Sequence, residues 1–495
     1  MKTVHLVYAA NNRAIPHFPE SSLALAGPLL DAGFPVAITD TAVTPRNQWR
    51  LDDPLFFGFT IYSNDSIAGA LRLASELRAR HPGVPLVWGG PHAQMVPDET
   101  AAHELVDAAC YDEGEHTVVA IAKQLADGRW SPAEIPGIVY RETNGRVART
   151  PPSPMLAGDR LPFPPYRLLD LDRYFVARQK CYYQSSRGCP FSCTFCADIQ
   201  QRRWRSRPSA QVLEHIDRLA GELDTREIYF SDANFFVDLK RARRIAEGLA
   251  GRQPRLRWSA FCRADTVMRM DDDFLALLVR AGCYQLDIGG ESGSDRVLAA
   301  FSKGVTQDAI LQAVRRLAGV GIRPELSFIA GAPMEQEADL EATVALIDTI
   351  RRDHPIASVN GLFPYQPYPN SVLGHQTIER WRLPVPTTLD GWARNPVTVP
   401  RREYFPWLSQ RHYRRMIVAS HVTSYRYLYW RVFDSAESRA LDRSLWWKAA
   451  KLTLRVAHAL FIRWSIQLRW DRGVDRFPLE WRLFAAVRNA VARTA

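Results

Sequence analysis

The sequence predicts an α/β protein in which parallel sheets are followed by a mainly helical region. Short apolar runs alternate with helix-like segments over most of the 495 residues, which is typical of strand–helix repeats around a parallel sheet. One proline-rich stretch interrupts the alternation, and a single core rarely exceeds about 250–300 residues. We therefore predict, in chain order, a doubly wound domain (1–145), a proline-rich linker (146–176), a partial (β/α)6 barrel (177–375) and a mainly helical carboxy-terminal region (376–495).

The composition is that of an ordinary soluble protein, with 46% hydrophobic and 23% charged residues. The first residues, Met1 to Tyr8, read directly as a strand and not as a charged and apolar leader. We therefore expect a cytoplasmic protein whose thiols are reduced and free to bind metal.

The first domain is predicted from four apolar runs separated by helix-like segments. The runs are 4–9, 36–40, 55–61 and 84–89, and the helix-like segments include 21–32 and 66–79. Doubly wound sheets bind ligands at the carboxyl ends of their strands, where small residues let the backbone approach a ligand closely. The candidate ligand-binding residues in these turns are Thr60, Ser63, Gly89, Gly90, Pro91, His92, Gly114 and Glu115.

Two histidines near these turns, His17 and His92, have a simpler interpretation than metal binding. A histidine in a polar loop is more often solvated or hydrogen-bonded to backbone than bound to a metal. We therefore assign neither of them as a metal ligand.

The stretch 135–174 contains seven prolines. Proline at this density cannot build a helix or a central strand, so an extended linker over a domain junction is predicted here.

Six further strands are predicted after the linker, each followed by a helix-like segment. They are 181–185, 227–230, 257–261, 285–288, 325–329 and 358–363, with helices such as 210–223 and 306–320. Six repeats in about 190 residues suit a partial barrel better than an eightfold one, and active sites in such barrels lie on the loops after the strands.

Three cysteines follow the first of these strands at the spacing C-x3-C-x2-C: Cys189, Cys193 and Cys196. Three thiolates can hold three irons of a [4Fe–4S] cluster and leave the fourth iron open to a ligand. A zinc site would need a second pair of ligands, whereas the other cysteines are scattered singly, and a disulfide framework suits a short secreted chain. Single inert buried thiols are common in proteins, but three cysteines at this close spacing are not.

The run Arg-Gly-Cys-Pro-Phe-x-Cys-x-Phe-Cys resembles the signature of the radical S-adenosylmethionine (SAM) enzymes, in which SAM chelates the open iron. Phe195 matches the aromatic residue that this family places before its last cysteine. The run 87–92, followed by Gly114-Glu115, resembles the cobalamin-binding domain of the cobalamin-dependent members. The chain lacks the Asp-x-His-x-x-Gly element of other cobalamin proteins, so the resemblance implies a cobalt without a histidine ligand.

The resemblance also assigns cofactor contacts to the ends of the second, third and fourth strands of the barrel. Asp232 lies where the family binds the amino group of SAM, commonly through a Gly-Gly-Glu run from which this chain departs. Arg263 ends the next strand. Gly289, Glu291 and Ser292 match a Gly-x-Glu-Ser pattern near the ribose or methionyl end of SAM.

Gly331 and Pro333 resemble the turn that lies against the adenine of SAM in this family. Taken singly, charged residues at strand ends often only cap a helix or pair with each other. Their shared position on one barrel face favours the cofactor interpretation.

The activity implied by the resemblance is radical methylation. The cluster would cleave SAM reductively, an adenosyl radical would remove hydrogen from an unactivated carbon of a small biosynthetic intermediate, and methylcobalamin would supply the methyl group. An external electron donor of the flavodoxin or ferredoxin type is expected, and no catalytic side chain is assigned. The alternatives are a non-methylating radical oxidoreductase, such as an anaerobic tetrapyrrole cyclase, and an iron–sulfur electron-transfer protein.

The carboxy-terminal residues 372–495 carry 22 Lys and Arg against 9 Asp and Glu, together with nine of the 14 tryptophans. A helix is predicted at 444–470, and it is too charged to span a bilayer. It either packs its apolar face on the barrel or lies on an anionic surface, which would make the protein peripheral to the inner membrane. Nucleic acid is not expected as a partner, because the tryptophans follow helical spacing and not a stacking platform.

Overall fold

The computed structural model describes residues 2–9, 18–63, 66–174, 180–197, 203–223, 225–253, 255–395 and 397–433. The chain divides into two compact units. The first unit comprises residues 1–260, 280–282 and 366–399, and the second comprises 261–279, 283–365 and 400–495. Segments from either side of the predicted linker therefore share the first unit. The four predicted domain ranges stay predictions.

A seven-stranded sheet forms the amino-terminal half of the first unit. Its strands are β1 (Thr3–Tyr8), β2 (Val36–Asp40), β3 (Pro54–Thr60), β4 (Leu86–Gly89), β5 (Ala108–Cys110), β6 (Ile138–Arg141) and β7 (Val147–Arg149), in the order β2-β1-β3-β4-β5-β6-β7. The first five strands pair parallel with one another. The chain winds to opposite sides of β1, so the sheet has a switch point between β1 and β3, where such sheets bind ligands.

Amphipathic helices cover this sheet because their apolar side chains recur at helical spacing. The helices of this part are Glu20–Asp31, Ser66–Arg80, Pro91–Met95, Pro97–Ala101 and Gly114–Ala126. Leu29 and Ile121 from two of these helices pack with Leu6 and Phe56 from the sheet in one buried core. All four predicted strands and both predicted helices of this region are confirmed, with ends shifted by a few residues.

The strands β6 and β7 were not predicted, because they lie within or beside the proline-rich stretch. They pair antiparallel at the edge of the sheet, and β6 pairs antiparallel with β5. The prolines flank this hairpin and do not interrupt it, since Pro136 precedes β6 and the next proline, Pro151, follows β7. After Arg149, the described part of the linker contains only short 3-10 turns, at Gly158–Arg160, Tyr166–Leu168 and Leu171–Arg173.

A second group of parallel strands in the first unit positions the cysteines. It contains β8 (Lys180–Tyr183), β11 (Glu227–Phe230) and β12 (Arg257–Cys262), with β11 in the middle. Between β8 and β11, the short strands β9 (Ser186–Arg187) and β10 (Arg205–Ser206) pair antiparallel. This ribbon, also not predicted, brackets the cysteine loop. The helices after it are Ser209–Leu223 and Leu239–Ala250.

The second unit contains three parallel strands, β13 (Cys283–Glu291), β14 (Arg323–Ala330) and β15 (Ser358–Pro364), with β14 in the middle. Among the described residues, the second unit also contains the helices Ala264–Met268, Asp272–Arg280, Asp295–Ala300, Gln307–Gly319, Glu337–Asp353 and Gln410–Phe433, while Val372–Trp381 and Leu389–Arg394 belong to the first unit. All six strands predicted after the linker are present. The α/β class with its parallel sheets is therefore confirmed.

The described part of the carboxy-terminal region, up to residue 433, is mainly helical. The predicted helix 444–470 lies outside the described residues. Among the helices that are described, none combines the length and the apolar character needed to cross a membrane.

Candidate functional site

One cavity of about 670 Å³ in the first unit lies at the carboxyl ends of the strands. Seven of the eight ligand-binding residues predicted in the first domain line it: Thr60, Ser63, Gly89, Gly90, Pro91, Gly114 and Glu115. The same cavity is lined by Gly188 and Ala197 of the cysteine loop and by Ser231 after β11. The first sheet and the cysteine loop therefore face one shared space.

The turn after β4 can be built only with glycine. Gly90 has φ 92°, and a Cβ atom there would lie 2.9 Å from the carbonyl oxygen of Ile61. A side chain would thus be strained and would also collide with the neighbouring turn. Gly89 and Gly90 therefore line the cavity with backbone alone, which leaves room for a large planar ring and fits the predicted cobalamin.

His92 is the exception among the predicted residues, because it does not line the cavity. Its side chain is fully buried, its Nδ1 is 2.9 Å from the Ser63 hydroxyl, and its ring packs edge-on against Trp392 with the centroids 5.1 Å apart. Burial lowers the pKa of His92 to about 3, so the ring is neutral. His92, which was not predicted to bind a metal, is thus buried beside Ser63 and Trp392 and does not line the cavity.

Trp392 also shows where the carboxy-terminal region contributes to the first unit. It is fully buried, and its Nε1 donates to Glu99 at 2.9 Å. Nearby, the Thr398 hydroxyl donates to the carbonyl of Ser63 at 3.0 Å and lines the cavity. At least this one of the nine carboxy-terminal tryptophans serves packing and not an exposed surface.

The three loop cysteines differ from the other four in exposure. Cys189, Cys193 and Cys196 are half-buried and form no disulfide, whereas the others are buried in the two units: Cys110, Cys181, Cys262 and Cys283. Burial raises the pKa of Cys110 and of Cys181 to about 12, which keeps them as inert thiols. The chemistry of the donor set therefore singles out the three loop thiols for binding iron.

No group of three or more His, Cys, Asp or Glu side chains among the described residues converges on a single point as ligands of one metal ion do. A [4Fe–4S] cluster does not require such convergence, because each thiolate binds a different iron.

Asp232 was predicted to accept a hydrogen bond from the amino group of SAM. In this structure, it accepts hydrogen bonds from neighbouring residues of the protein. Its fully buried carboxylate accepts from the Ser185 backbone at 2.6 Å, the Ser185 hydroxyl at 2.7 Å and the Ser186 hydroxyl at 2.5 Å. Burial raises its pKa, although Arg241 and these three donors oppose the shift. Asp232 thus fixes the residues that lead into the cysteine loop, and its contact with SAM stays a prediction.

Glu20, which was not predicted, is a second carboxyl group at this end of the cavity. It begins the helix after β1, lines the cavity and accepts a hydrogen bond of 2.6 Å from the Ser231 hydroxyl. Burial raises its pKa to about 7, the Ser231 hydrogen bond opposes this, and the charge of Asp232 adds to it. No motif marked Glu20 in the sequence, because its partner lies more than 200 residues away.

Arg187, which directly precedes Gly188 in the cysteine motif, forms a buried ion pair with Glu115 at 2.6 Å. Glu113 lies 3.6 Å from Arg187 and pairs with Arg205 at 2.5 Å. Burial disfavours the ionised form of Glu113, but the hydrogen bond and charges of the two arginines outweigh this and lower its pKa. Glu115, predicted to bind cofactor, therefore contacts the cysteine loop as well as the cavity.

In the second unit, the predicted Gly289-Gly290-Glu291 run lies inside β13 and not in the loop after it. The register with β14 shifts between Gly289 and Glu291, so a bulge lets the strand continue. A Cβ atom on Gly289 would lie 2.2 Å from Oε1 of Glu291, which explains the glycine. The position of the strand end was wrong because periodicity does not reveal a bulge.

Glu291 has φ 60° and accepts from Nζ of Lys303 at 2.7 Å, with both side chains buried. Arg263 donates to the backbone carbonyl of the same Lys303 and pairs with Asp265 at 2.9 Å. Two predicted residues thus meet at a lysine that sequence reasoning missed, since no motif contains it.

The remaining predicted residues of the second unit lie in tight turns. The Ser292 hydroxyl is 3.2 Å from that of Thr343. Gly331 has φ 81°, its N–H donates to Glu335 at 2.8 Å, and its carbonyl accepts from Trp407 at 3.0 Å. Pro333 is half-buried in the following turn. In the first unit, Phe195 is half-buried within the cysteine loop.

Comparison with known families gives two matches on this chain. Residues 183–347 match the Radical SAM superfamily, and residues 11–122 match the B12 binding domain. The uncharacterized methyltransferase PH0819 of Pyrococcus horikoshii is 30% identical over 320 residues, which cover 63% of this chain and 68% of the relative. The anaerobic magnesium-protoporphyrin IX monomethyl ester cyclase of Rubrivivax gelatinosus is 27% identical over 55% of this chain, which spans half of the cyclase.

Two solved structures share the fold. OxsB with aqua-cobalamin and S-adenosylmethionine bound superposes with a TM-score of 0.72 at 19% identity, covering 92% of this chain and 71% of OxsB. The methyltransferase TsrM of Kitasatospora setae, with cobalamin and a [4Fe–4S] cluster bound, gives 0.64 at 20% identity, covering 78% of this chain and 76% of TsrM. With a cysteine loop and a glycine-walled cavity in place, the chain belongs to the cobalamin-dependent radical SAM family, whose cofactors are a [4Fe–4S] cluster, SAM and cobalamin.

Proposed function

We propose that this enzyme methylates an unactivated carbon of a small-molecule biosynthetic intermediate. The observation that carries the proposal is one cavity in the first unit, which is lined both by the glycine turn Gly89-Gly90 and by Gly188 and Ala197 of the cysteine loop. A methyl carrier and a radical generator must act on the same carbon, so their sites have to open into one space.

The residues of this chain have binding and positioning roles in that reaction. We propose Cys189, Cys193 and Cys196 as the cluster ligands and the turns ending in Gly90 and Gly114 as the cobalamin wall. When bound, these groups supply hydrogen abstraction and a transferable methyl group. The protein holds the loop through Asp232 and lines the cavity with apolar side chains such as Leu25 and Val118, which exclude water from the reacting centre.

In the second unit, we propose that Glu291 at the end of β13 and the turns carrying Ser292, Gly331 and Pro333 contact SAM, as the resemblance implies. Glu291 is fixed by Lys303 and Gly331 by Glu335, so both positions are rigid before any ligand arrives. Arg263 supports the same element through the Lys303 carbonyl. Phe195 is proposed to shape the cysteine loop around the cluster.

Methyl transfer can be tested with SAM that carries a deuterated methyl group. The anaerobically reconstituted protein, a reductant and small molecules extracted from the natural host should yield deoxyadenosine together with a small molecule that has gained the labelled methyl group. Deoxyadenosine without label transfer would contradict methylation and favour the non-methylating oxidoreductase. No deoxyadenosine at all would favour an electron-transfer protein.

The cobalt of bound cobalamin is expected to have no histidine ligand from this chain. No histidine is found among the described residues that line the cavity, and the buried ring of His92 packs edge-on against Trp392. Electron paramagnetic resonance of the cob(II)alamin state should therefore lack nitrogen superhyperfine splitting, with free base-on cob(II)alamin as the reference. Nitrogen splitting that disappears in His92→Ala would contradict the expectation.

We also propose an external flavodoxin- or ferredoxin-type electron donor and association of the carboxy-terminal region with an anionic membrane surface. The membrane proposal is supported by the charge of residues 372–495, which contain 22 basic and 9 acidic residues. Each basic residue near an anionic surface contributes about 1 kcal/mol of electrostatic attraction. Sedimentation with anionic vesicles should show binding that weakens as salt is added. Equal failure to bind anionic and neutral vesicles at low salt would leave this region a packing role.

A further inference from the structure

Four charged side chains join the acidic turn of the cavity to the cysteine loop. Arg187 pairs with Glu115 at 2.6 Å and lies 3.6 Å from Glu113, which pairs with Arg205 at 2.5 Å. Each of these side chains is 10% exposed or less. The network lies within the first unit, and Glu113, Glu115 and Arg187 all line the cavity.

The two arginines hold both ends of the loop that carries the cysteines. Arg187 and Arg205 face each other as partners in the antiparallel ribbon of β9 and β10. All three cysteines lie between them in the sequence. Glu113 therefore lies within ion-pair distance of both arginines and links the acidic turn to both ends of the cysteine loop.

Stability alone is a weak reason for such a network. Removing charges from water costs about as much as their attraction returns, so a buried pair adds little net stability compared with apolar residues. What a buried pair does provide is one defined geometry, because each charge must meet its partner. Here that geometry relates the cavity wall at Gly114 to the loop that begins at Gly188.

We propose that Arg187 is a positioning residue that couples the two cofactor sites, so that cobalamin in the cavity and the cluster on the loop each favour binding of the other. This inference rests on the proposed function, because it assumes that the cavity holds cobalamin and the loop holds the cluster. Coupling between two binding sites is reciprocal, so each cofactor raises the affinity for the other by the same factor.

The test titrates hydroxocobalamin into the full-length protein with and without its reconstituted cluster and follows binding by absorbance. The wild-type protein should bind about tenfold more tightly with the cluster, within the range typical of coupled sites. As the reciprocal measurement, hydroxocobalamin should slow the loss of iron to a chelator. Neither readout depends on turnover.

Two variants remove the coupling in different ways. Arg187→Lys keeps the positive charge but loses the forked guanidinium group that lies close to two carboxylates. The double variant Arg187→Met with Glu115→Gln removes one charge of each sign. In both variants, the ratio of the two hydroxocobalamin affinities should fall towards one. The control is Arg78→Met, which breaks an ion pair of 2.5 Å with Asp107 in the same unit, away from the cavity, and should keep the wild-type ratio.

The outcomes separate this inference from the proposed function. If the wild-type protein binds both cofactors with affinities that differ by less than about twofold between the two states, the coupling is refuted while the proposed function stands. A tenfold ratio that survives in both Arg187 variants would also refute it. Wild-type protein that binds neither cofactor would overturn the proposed function and the inference with it. Arg187→Met is combined with Glu115→Gln because Arg187→Met alone would leave the buried Glu115 carboxylate without its partner, whereas Glu113 would keep Arg205.

Discussion

Replacing Cys193 with Ala is expected to remove the cluster and to reduce deoxyadenosine formation to the level of a control without enzyme. The same result is expected for Cys189→Ala and Cys196→Ala, because each thiolate binds its own iron. No substitute thiol is at hand among the described residues, since the four other cysteines are buried away from the loop. Iron and sulfide content after anaerobic reconstitution, together with deoxyadenosine release, measures the effect.

Cys181→Ala is the matched control for these variants. Cys181 lies in β8, only eight residues before the loop, but it is fully buried and burial raises the pKa of its thiol to about 12. Its loss should cost packing but leave iron content and SAM cleavage close to wild type. The ligand assignment would be wrong if Cys181→Ala lost the cluster while Cys196→Ala kept it.

The sequence was sufficient to predict the features that depend on local spacing. The strands ending at Thr60 and Gly89 follow from short apolar runs, and the cysteine loop follows from its cadence. The glycines at 89 and 90 were singled out as a close-approach turn, and Gly90 proves to leave no room for a Cβ atom. Each of these features is encoded within about ten consecutive residues.

What the sequence did not reveal depends on contacts between distant segments. Ser231 and Glu20 are separated by 211 positions, and Arg187 lies far from Glu115 along the chain, so no local pattern relates them. The bulge in β13 was missed for a related reason, since the register of a strand is set by its neighbour. The ion-pair network was partly visible, because Arg187 and Glu115 both stood in recognisable motifs, but only the structure pairs them.

Asp232→Ala is expected to have the largest effect on stability among the residues near the cavity. Asp232 is fully buried, accepts hydrogen bonds from Ser185 and Ser186 and offsets the charge of Arg241. Arg241 itself donates to the carbonyl of Ser185 at 3.0 Å, so its position is tied to the same corner. Without the carboxylate, the buried donors of Ser185 and Ser186 lose a charged acceptor, and a hydrogen bond to a charged group typically contributes about 1.5–3 kcal/mol.

The variant should therefore melt at a clearly lower temperature and should also retain iron poorly, because Ser185 and Ser186 lead directly into the cysteine loop. Asp232→Asn keeps the shape but loses the charge and should be intermediate. The control is Asp217→Asn, whose carboxylate is 60% exposed and pairs with Arg252 at 2.6 Å; an exposed pair contributes about 1 kcal/mol or less. If Asp232→Ala melts like Asp217→Asn yet no longer binds SAM, Asp232 would be a SAM ligand, as the resemblance first implied, and not the support of the loop.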